Sequence, residues 1–357
     1  MTDSLALPPA VSVRGTVAAP PSKSATNRAL LLAALSGEPV QLVRPLDSGD
    51  TRALVRCLRA MGAGVDESPS GLAVRGPLGR PSEDDVVLDA GGSGTAARFL
   101  AAVAAAVPGR YLLTGSAQLI RRPMGELVAA LRSAGAIVET AGSEGYLPLA
   151  IVGGSLRSGS VVVDASRSGQ FLSSLLLAGI AVDGGLTVRA EGTVASAPYV
   201  DTTLEALREF GHSVARGASG EIAVRRGAGK TSVYDVPGDW SSALPFFAAA
   251  GIVGGEVSVT GLRWPSPDAD ARALDVVAST GVAVERDAGQ IRARGTRGAL
   301  VPASDRRHPP SDVRRPPPGD GRRAPLPRAA VVSDRNARLR GKVVPRFLPG
   351  PRDNPCT

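Results

Sequence analysis

Residues 22–43 read SKSATNRALLLAALSGEPVQLV, and the fold turns on this stretch. It opens on a serine, which suits a helix N-terminus. An Ala/Leu run follows that is too apolar for a helix with one face in water. Gly37 and Pro39 break the run, and Val-Gln-Leu-Val then reads as a short strand. The same plan returns in SGTAARFLAAVAAAVPGRYLLTG (93–115), SGQFLSSLLLAGIAVDGGLTVRAEG (168–192) and DWSSALPFFAAAGIVGGEVSVTG (239–261).

Each copy continues into a second helix, ending in RAMGAGV, RSAGAIV, REFGHSV or ASTGVAV. Gly62, Gly135, Gly211 and Gly281 take matching places, 73, 76 and 70 residues apart, and suit left-handed helix C-caps. Alternating segments such as AGAIVETA and GVAVERDA follow as strands. The chain is therefore expected to be α/β, a run of βαβαββ units of about 70 residues. Its first helices should be covered on more than one side by sheets. A fifth copy should begin near residue 310, where the composition cannot supply one.

Residues 301–357 hold twelve Arg and one Lys against five Asp, which is the whole formal net charge of +8, and twelve of the 29 prolines. The body before them is neutral, with 28 basic and 28 acidic residues. The 301–357 stretch reads as a disordered Pro/Arg tail, cleaved first by trypsin. Apolar residues make up 43% of the 357-residue chain, enough for large cores, and no apolar run approaches the ~20 residues of a bilayer span. No signal peptide is expected. Two cysteines, Cys57 and Cys356, supply neither a disulfide framework nor a zinc site, so a cytoplasmic protein without metal is expected.

Three helix starts carry hydroxyls and arginine. Pro20-Pro21-Ser22-Lys23-Ser24-Ala25-Thr26-Asn27-Arg28 would place two cations beside free N–H groups at the positive end of a helix dipole, which makes an anion site. Gly91-Gly92-Ser93-Gly94-Thr95 is a turn that could expose N–H groups, ahead of Arg98. It lacks P-loop and dinucleotide spacing. Arg121-Arg122-Pro123 reads as a second-helix start with Pro at its first position. Ser166-Arg167-Ser168-Gly169-Gln170 and Ser196-Ala197-Pro198-Tyr199 complete the set. These corners could converge on one polyanion. His212 is expected to be solvated, Cys57 to lie in the core, and Asp47, Asp50 and Asp239 to form turns or caps, Asp239 with a cleft-facing alternative.

Taken together, PPSKSATNRALLLAAL, LDSGDTRALVRCLRAMGA, GGSGTAARFLAA, RRPMGELVAALRSAGA, SRSGQFLSSLLLAG, ASAPYVDTTLEAL and VPGDWSSALPFFAAAGIVGG resemble the 5-enolpyruvylshikimate-3-phosphate synthase family, in the family's order over about residues 8–295. The sister UDP-N-acetylglucosamine enolpyruvyltransferases differ at the SKSxxNR start and usually carry a loop cysteine that is not found here. The resemblance implies a two-domain enolpyruvyltransferase-type fold. Residues 18–237 would form a complete three-repeat domain, and 1–17 plus 238–300 part of a second, incomplete one. It implies transfer of the enolpyruvyl group from phosphoenolpyruvate to the 5-hydroxyl of shikimate 3-phosphate with release of phosphate. No cofactor and no metal are implied, and the chain would be a cytoplasmic monomer.

Carried over by position, Lys23, Ser24 and Arg28 match contacts to shikimate 3-phosphate, with Lys23 also reaching phosphoenolpyruvate. Gly94 and Arg122 match phosphoenolpyruvate contacts. Ser168, Gln170 and Ser196 match shikimate 3-phosphate contacts, Gln170 also facing phosphoenolpyruvate. Gly92 stands where the family often has Asn, Gly169 where it often has a second Ser, and Gln118 where some members have Arg. At Gly169 the hydroxyl is lost and the N–H should survive. The family's later acid/base and cationic motifs are not found after residue 300, so catalytic residues are unknown and turnover by this chain should be slow. A shift of reading frame near residues 297–308 would give such a tail, and a natural extension is the alternative. A non-catalytic anion binder, a UDP-N-acetylglucosamine-type enzyme and nucleic-acid binding through the tail remain as other classes. No base-reading motif supports the last of these.

Overall fold

The four apolar stretches become four helices, each entered through a side-chain cap. Ser22, Ser93, Ser168 and Asp239 are the N-cap residues, accepting from backbone N–H groups two or three residues on. The computed structural model describes residues 12–79, 85–229, 231–287 and 289–298, all within the unit Met1–Arg307. The expectations for the 301–357 tail, a fifth repeat near 310 and Cys356 lie outside the described residues.

The chain order is regular. β1 (Val13–Ala18) leads to α1 (Lys23–Leu35), β2 (Val40–Val43), α2 (Gly49–Ala60), β3 (Gly64–Ser68) and β4 (Gly71–Arg75). β5 (Val86–Asp89), α3 (Gly94–Ala106), β6 (Gly109–Thr114), the single turn α4 (Ala117–Ile120), α5 (Gly125–Ser133), β7 (Ile137–Thr140) and β8 (Leu149–Gly153) follow. Next come β9 (Gly159–Asp164), α6 (Gly169–Ala178), β10 (Leu186–Glu191), α7 (Pro198–Glu209), β11 (Ser213–Arg216) and β12 (Ile222–Arg225). Last are β13 (Val233–Asp235), α8 (Trp240–Val253), β14 (Gly255–Thr260), α9 (Ala273–Ser279), β15 (Ala283–Asp287) and β16 (Gln290–Gly295).

Four four-stranded sheets share one topology: a parallel pair followed by two antiparallel neighbours. Within the second and third repeats the parallel pairs are β5 with β6 and β9 with β10. The other two are exchanged along the chain. β13 pairs with β2, and β1 with β14, Val13 lying opposite Gly255. The chain thus crosses between the first and fourth repeats twice, at 18–22 and at 236–239. The crossings are tied by Ser22 N–H to Pro237 O at 2.8 Å and Asp239 N–H to Pro20 O at 2.7 Å.

The second helices end as their glycines predict. Gly62, Gly135, Gly211 and Gly281 have φ of 97, 84, 79 and 98°, where a Cβ would be strained. The first helices are buried: every residue of α1 from Ala25 to Leu35 is inside, and α3 and α6 are nearly as covered. One core gathers the side chains of the first three repeats, from Ala25 to Val236. A smaller core gathers Ala19 and the fourth repeat, from Trp240 to Ala293. α8 is the exception among the apolar helices. Phe247 is buried against the second core, whereas Phe246 and Ile252 are 37% and 56% exposed. Phe247 is covered because α8 has one sheet and α9 behind it. Among the described residues no helix is long and apolar enough to cross a membrane.

Two local expectations are corrected. Arg121 is the C-cap of α4, and α5 begins at Gly125, two residues beyond Pro123, so Pro123 is not a first helical residue. Met124 N–H donates instead to Gly145 O at 2.8 Å, which holds the chain off the helix axis. His212 is only 7% exposed rather than solvated. Its Nδ1 accepts from Gly227 N–H at 3.3 Å, and its burial follows from the strand return at 226–227 folding over it.

Candidate functional site

A cavity of about 610 Å³ opens where the helix starts meet. Its wall takes Lys23, Ser24, Asn27 and Arg28 from α1, Thr95 from α3, Arg167 to Gln170 from the start of α6, and Ser196 and Tyr199 from the start of α7. Across it stand Asp239, Ser241 and Ser242 from the start of α8, and Asp268. Six of the eight residues expected to contact substrate line this cavity: Lys23, Ser24, Arg28, Ser168, Gln170 and Ser196. Gly94 and Arg122 are not among its lining residues. They are adjacent to each other, since a Cβ added at Gly94 would fall 2.9 Å from Arg122 Nη1.

Arg28 organises the first wall. It is 2% exposed. Its Nε donates to Thr203 Oγ1 at 2.8 Å, Nη1 to Ser24 O at 3.0 Å and Ser24 Oγ at 2.5 Å, and Nη2 to Tyr199 O at 2.9 Å. Four of the five guanidinium N–H groups are thus engaged, leaving one on Nη2. The guanidinium also lies 5.3 Å from the centre of the Phe99 ring. Burial lowers its pKa to about 10, so it stays cationic at neutral pH. Lys23, by contrast, is half exposed and its Nζ lies 3.2 Å from Asp50 Oδ2. Asp50 sits inside the first turn of α2, whose cap is Ser48, so its expected capping role passes to its neighbour.

A second network joins the repeats. Arg98 Nη1 donates to Gln170 Oε1 at 2.6 Å, and Gln170 Nε2 donates to Thr95 Oγ1 at 3.1 Å. This orients the Gln170 amide. Burial first, and then the neighbouring Arg122 charge, depress the Arg98 pKa. Arg98, Thr95, Arg167 and Tyr199 were not assigned contacts on sequence grounds. All four lie in the helix starts read as anion corners, but only their neighbours were given contacts.

Some backbone donors are already committed. Gly169 N–H donates to Ala195 O at 3.0 Å, so it is not free for an anion as expected, and a Cβ there would come within 2.4 Å of the same oxygen. In the 91–95 turn, Gly91 N–H bonds Asp89 Oδ1 at 2.8 Å and Ser93 N–H bonds Ala90 O at 3.0 Å. Ser168 Oγ caps α6 by accepting from Gln170 N–H at 3.3 Å, which leaves its own hydroxyl proton to donate into the cavity. Ser196, next to it, has φ of 54°, an uncommon left-handed conformation for a serine.

The opposite wall is acidic. Asp239 caps α8 through Ser242 N–H at 2.8 Å, and it also lines the cavity, so the cap and cleft readings both hold. Asp268 Oδ1 accepts from Asp270 N–H at 3.0 Å, and burial raises the Asp268 pKa, with the Asp270 and Asp239 charges adding to it. Among the described residues no group of three or more His, Cys, Asp or Glu side chains is placed to hold a metal. Cys57 is a core residue, 2% exposed, with its thiol donating to Asp89 O at 3.4 Å and its pKa pushed up to about 12 by burial.

The arrangement is a cleft lined by cations and capped helix starts together with two carboxylates. A sequence model of the family described as EPSP synthase (3-phosphoshikimate 1-carboxyvinyltransferase) matches residues 8–307. The 3-phosphoshikimate 1-carboxyvinyltransferase of Vibrio atlanticus is 41% identical over 288 residues, covering 79% of this chain and 68% of the relative. That of Methanopyrus kandleri is 41% identical over 293 residues, covering 80% and 67%. The solved EPSP synthase from Acinetobacter baumannii superposes with a TM-score of 0.67 at 26% identity, covering 80% of this chain and 66% of that one. The chain spans about two thirds of the length of these relatives.

Proposed function

The chain belongs to the EPSP synthase family, and from that premise we propose that its cleft binds shikimate 3-phosphate and phosphoenolpyruvate. The reaction is transfer of the enolpyruvyl group to the 5-hydroxyl of shikimate 3-phosphate with release of phosphate. The observation that carries this is the convergence of Lys23, Ser24, Arg28, Ser168, Gln170 and Ser196 on one cavity from three helix starts in two separate repeats. Helix N-termini and cations together favour a phosphate or carboxylate. Lys23 serves as a mobile point charge, and the last free N–H of Arg28 as a fixed donor. Gln170, held by Arg98 and Thr95, presents its amide at a set angle. Gly94 and Arg122 belong to the phosphoenolpyruvate side of the same reading. A cytoplasmic monomer goes with it.

The chemistry also needs an acid for the methylene carbon, a base for the hydroxyl proton and exclusion of water. The described residues supply the recognition of anions, and the carboxylates of Asp239 and Asp268 are the titratable groups on the facing wall. Titration calorimetry of the full chain with shikimate 3-phosphate tests the binding. Heat of binding that inorganic phosphate competes away is expected, and its absence from a folded sample overturns the reading. Phosphate release with both substrates present measures turnover separately.

A further inference from the structure

Three cations line the cleft: Lys23, Arg28 and Arg167. They differ in what they have left to offer a ligand. Lys23 is a point charge already paired with Asp50. Arg28 spends four of its five N–H groups on Thr203, Ser24 and Tyr199, and the one that remains cannot make a two-point contact. Arg167 is the reverse. Its side chain is 60% exposed, and among the described residues its one hydrogen bond runs from Nη1 to Glu126 Oε1 at 3.2 Å. Four N–H groups stay free, among them the whole Nε–Nη2 edge. That edge fits two oxygens of one oxyanion at once, and Arg44 uses its own in this way on the Asp235 carboxylate.

Glu126 holds the guanidinium by one corner. It stands in the first turn of α5, where the helix dipole favours a carboxylate, and its side chain is 17% exposed. The backbone of Arg167 sits in the next repeat, one residue before the Ser168 cap of α6. The side chain is therefore fixed at its base by the start of α6 and at its tip by α5. A long side chain held in this way loses less freedom on meeting a ligand than an untethered one.

We propose that Arg167 is the two-point oxyanion contact of the cleft: its Nε–Nη2 edge takes two oxygens of a phosphate or carboxylate of the bound ligand, while Nη1 stays on Glu126. Arg28 serves mainly as the tie between α1 and α7. This rests on the reading that the cleft takes shikimate 3-phosphate and phosphoenolpyruvate, each of which carries a phosphate and a carboxylate.

The test compares the full chain with Arg167→Ala and Arg167→Lys. Calorimetry is run with shikimate 3-phosphate, and with phosphoenolpyruvate added to protein saturated with shikimate 3-phosphate, beside thermal melting of the same samples. Arg167→Ala should melt with the parent, since an exposed ion pair contributes little. It should bind the ligand whose oxyanion Arg167 holds at least about tenfold more weakly. Arg167→Lys keeps the charge without the planar fork, so it should recover only a minor part of that affinity. A loss confined to shikimate 3-phosphate assigns the oxyanion to that ligand, and one confined to phosphoenolpyruvate assigns it to the other. Equal affinity of parent and Arg167→Ala for both ligands overturns the proposal. So does an equal loss for both, which a charge acting at a distance gives, and so does full recovery in Arg167→Lys, which a point charge gives. A clear drop in the melting temperature of Arg167→Ala would make the residue structural and also overturn it. A parent that binds neither ligand removes the substrate reading, and the Arg167 assignment falls with it. A parent that binds, beside an Arg167→Ala variant that binds equally, removes the Arg167 assignment alone.

Discussion

Arg28 Nε and Thr203 Oγ1 lie 2.8 Å apart across 175 residues of chain, and both are buried. Thr203 Oγ1 also lies 3.1 Å from Ser173 Oγ and 3.0 Å from Tyr199 O. One hydroxyl on α7 therefore ties the charged residue of α1 to α6, and the position of the cleft's fixed cation depends on a residue that does not line it.

Replacing Thr203 by Val keeps the shape and removes that acceptor. A buried guanidinium N–H is then unpaired, so stability should fall by about 1.5–3 kcal/mol, the range for hydrogen bonds to charged groups. Thr203→Ser should recover most of it. Urea denaturation of the three proteins checks this, and equal midpoints for Val and parent would show that the bond contributes nothing.

Lys23→Ala should separate binding from folding. Its pair with Asp50 is half exposed, so stability should change by less than about 1 kcal/mol. Affinity for shikimate 3-phosphate should fall by about 1.5–3 kcal/mol, again the range for a hydrogen bond to a charged group. Calorimetry and melting on the same samples read the two effects, and an unchanged affinity would place Lys23 outside the binding site.

Asp268→Asn should tighten anion binding. The carboxylate faces a cleft built for anions, and an asparagine can still cap through its side-chain oxygen to Asp270 N–H. Severalfold tighter binding of shikimate 3-phosphate is expected at low ionic strength, fading in salt as exposed charges are screened. Weaker binding at every salt concentration would instead mark Asp268 as a ligand contact.

His212 should make the protein sensitive to mild acid. Burial, and then the Arg226 charge, lower its pKa from 6.5 to about 4. The folded state therefore binds fewer protons than the unfolded one between those values, and stability is present above pH 6.5 and lost as pH falls towards 4. At 1.36 kcal/mol per pH unit, the loss is at most about 3 kcal/mol. Melting temperature against pH should fall more steeply in the parent than in His212→Gln. Parallel curves would assign the slope to other groups.

Repeats and caps were legible because they are local. The four apolar runs are helices, and the four matching glycines are left-handed, because burial pattern and backbone sterics act within a few residues. The arginine-rich helix starts were legible as anion sites for the same reason. The Arg121–Pro123 segment was misread because its geometry is set by Gly145, twenty-one residues after Met124. His212 was misread because strand return at Gly227, not its own neighbourhood, buries it.

Sequence alone determined the α/β class and the repeat, since both rest on residue type and short spacing, while the family and the expected contacts came from the resemblance of whole motifs. Tertiary structure decided the rest. It sent β1 to β14 and β13 to β2, a choice between equivalent sheet edges that no local pattern can encode. It tied up four of the five N–H groups of Arg28, closed Gly169 against Ala195, and left Asn27 buried without a partner. Those outcomes depend on which distant backbone and side-chain atoms arrive within about 3 Å, the range over which hydrogen bonds act, and only the folded chain brings them there.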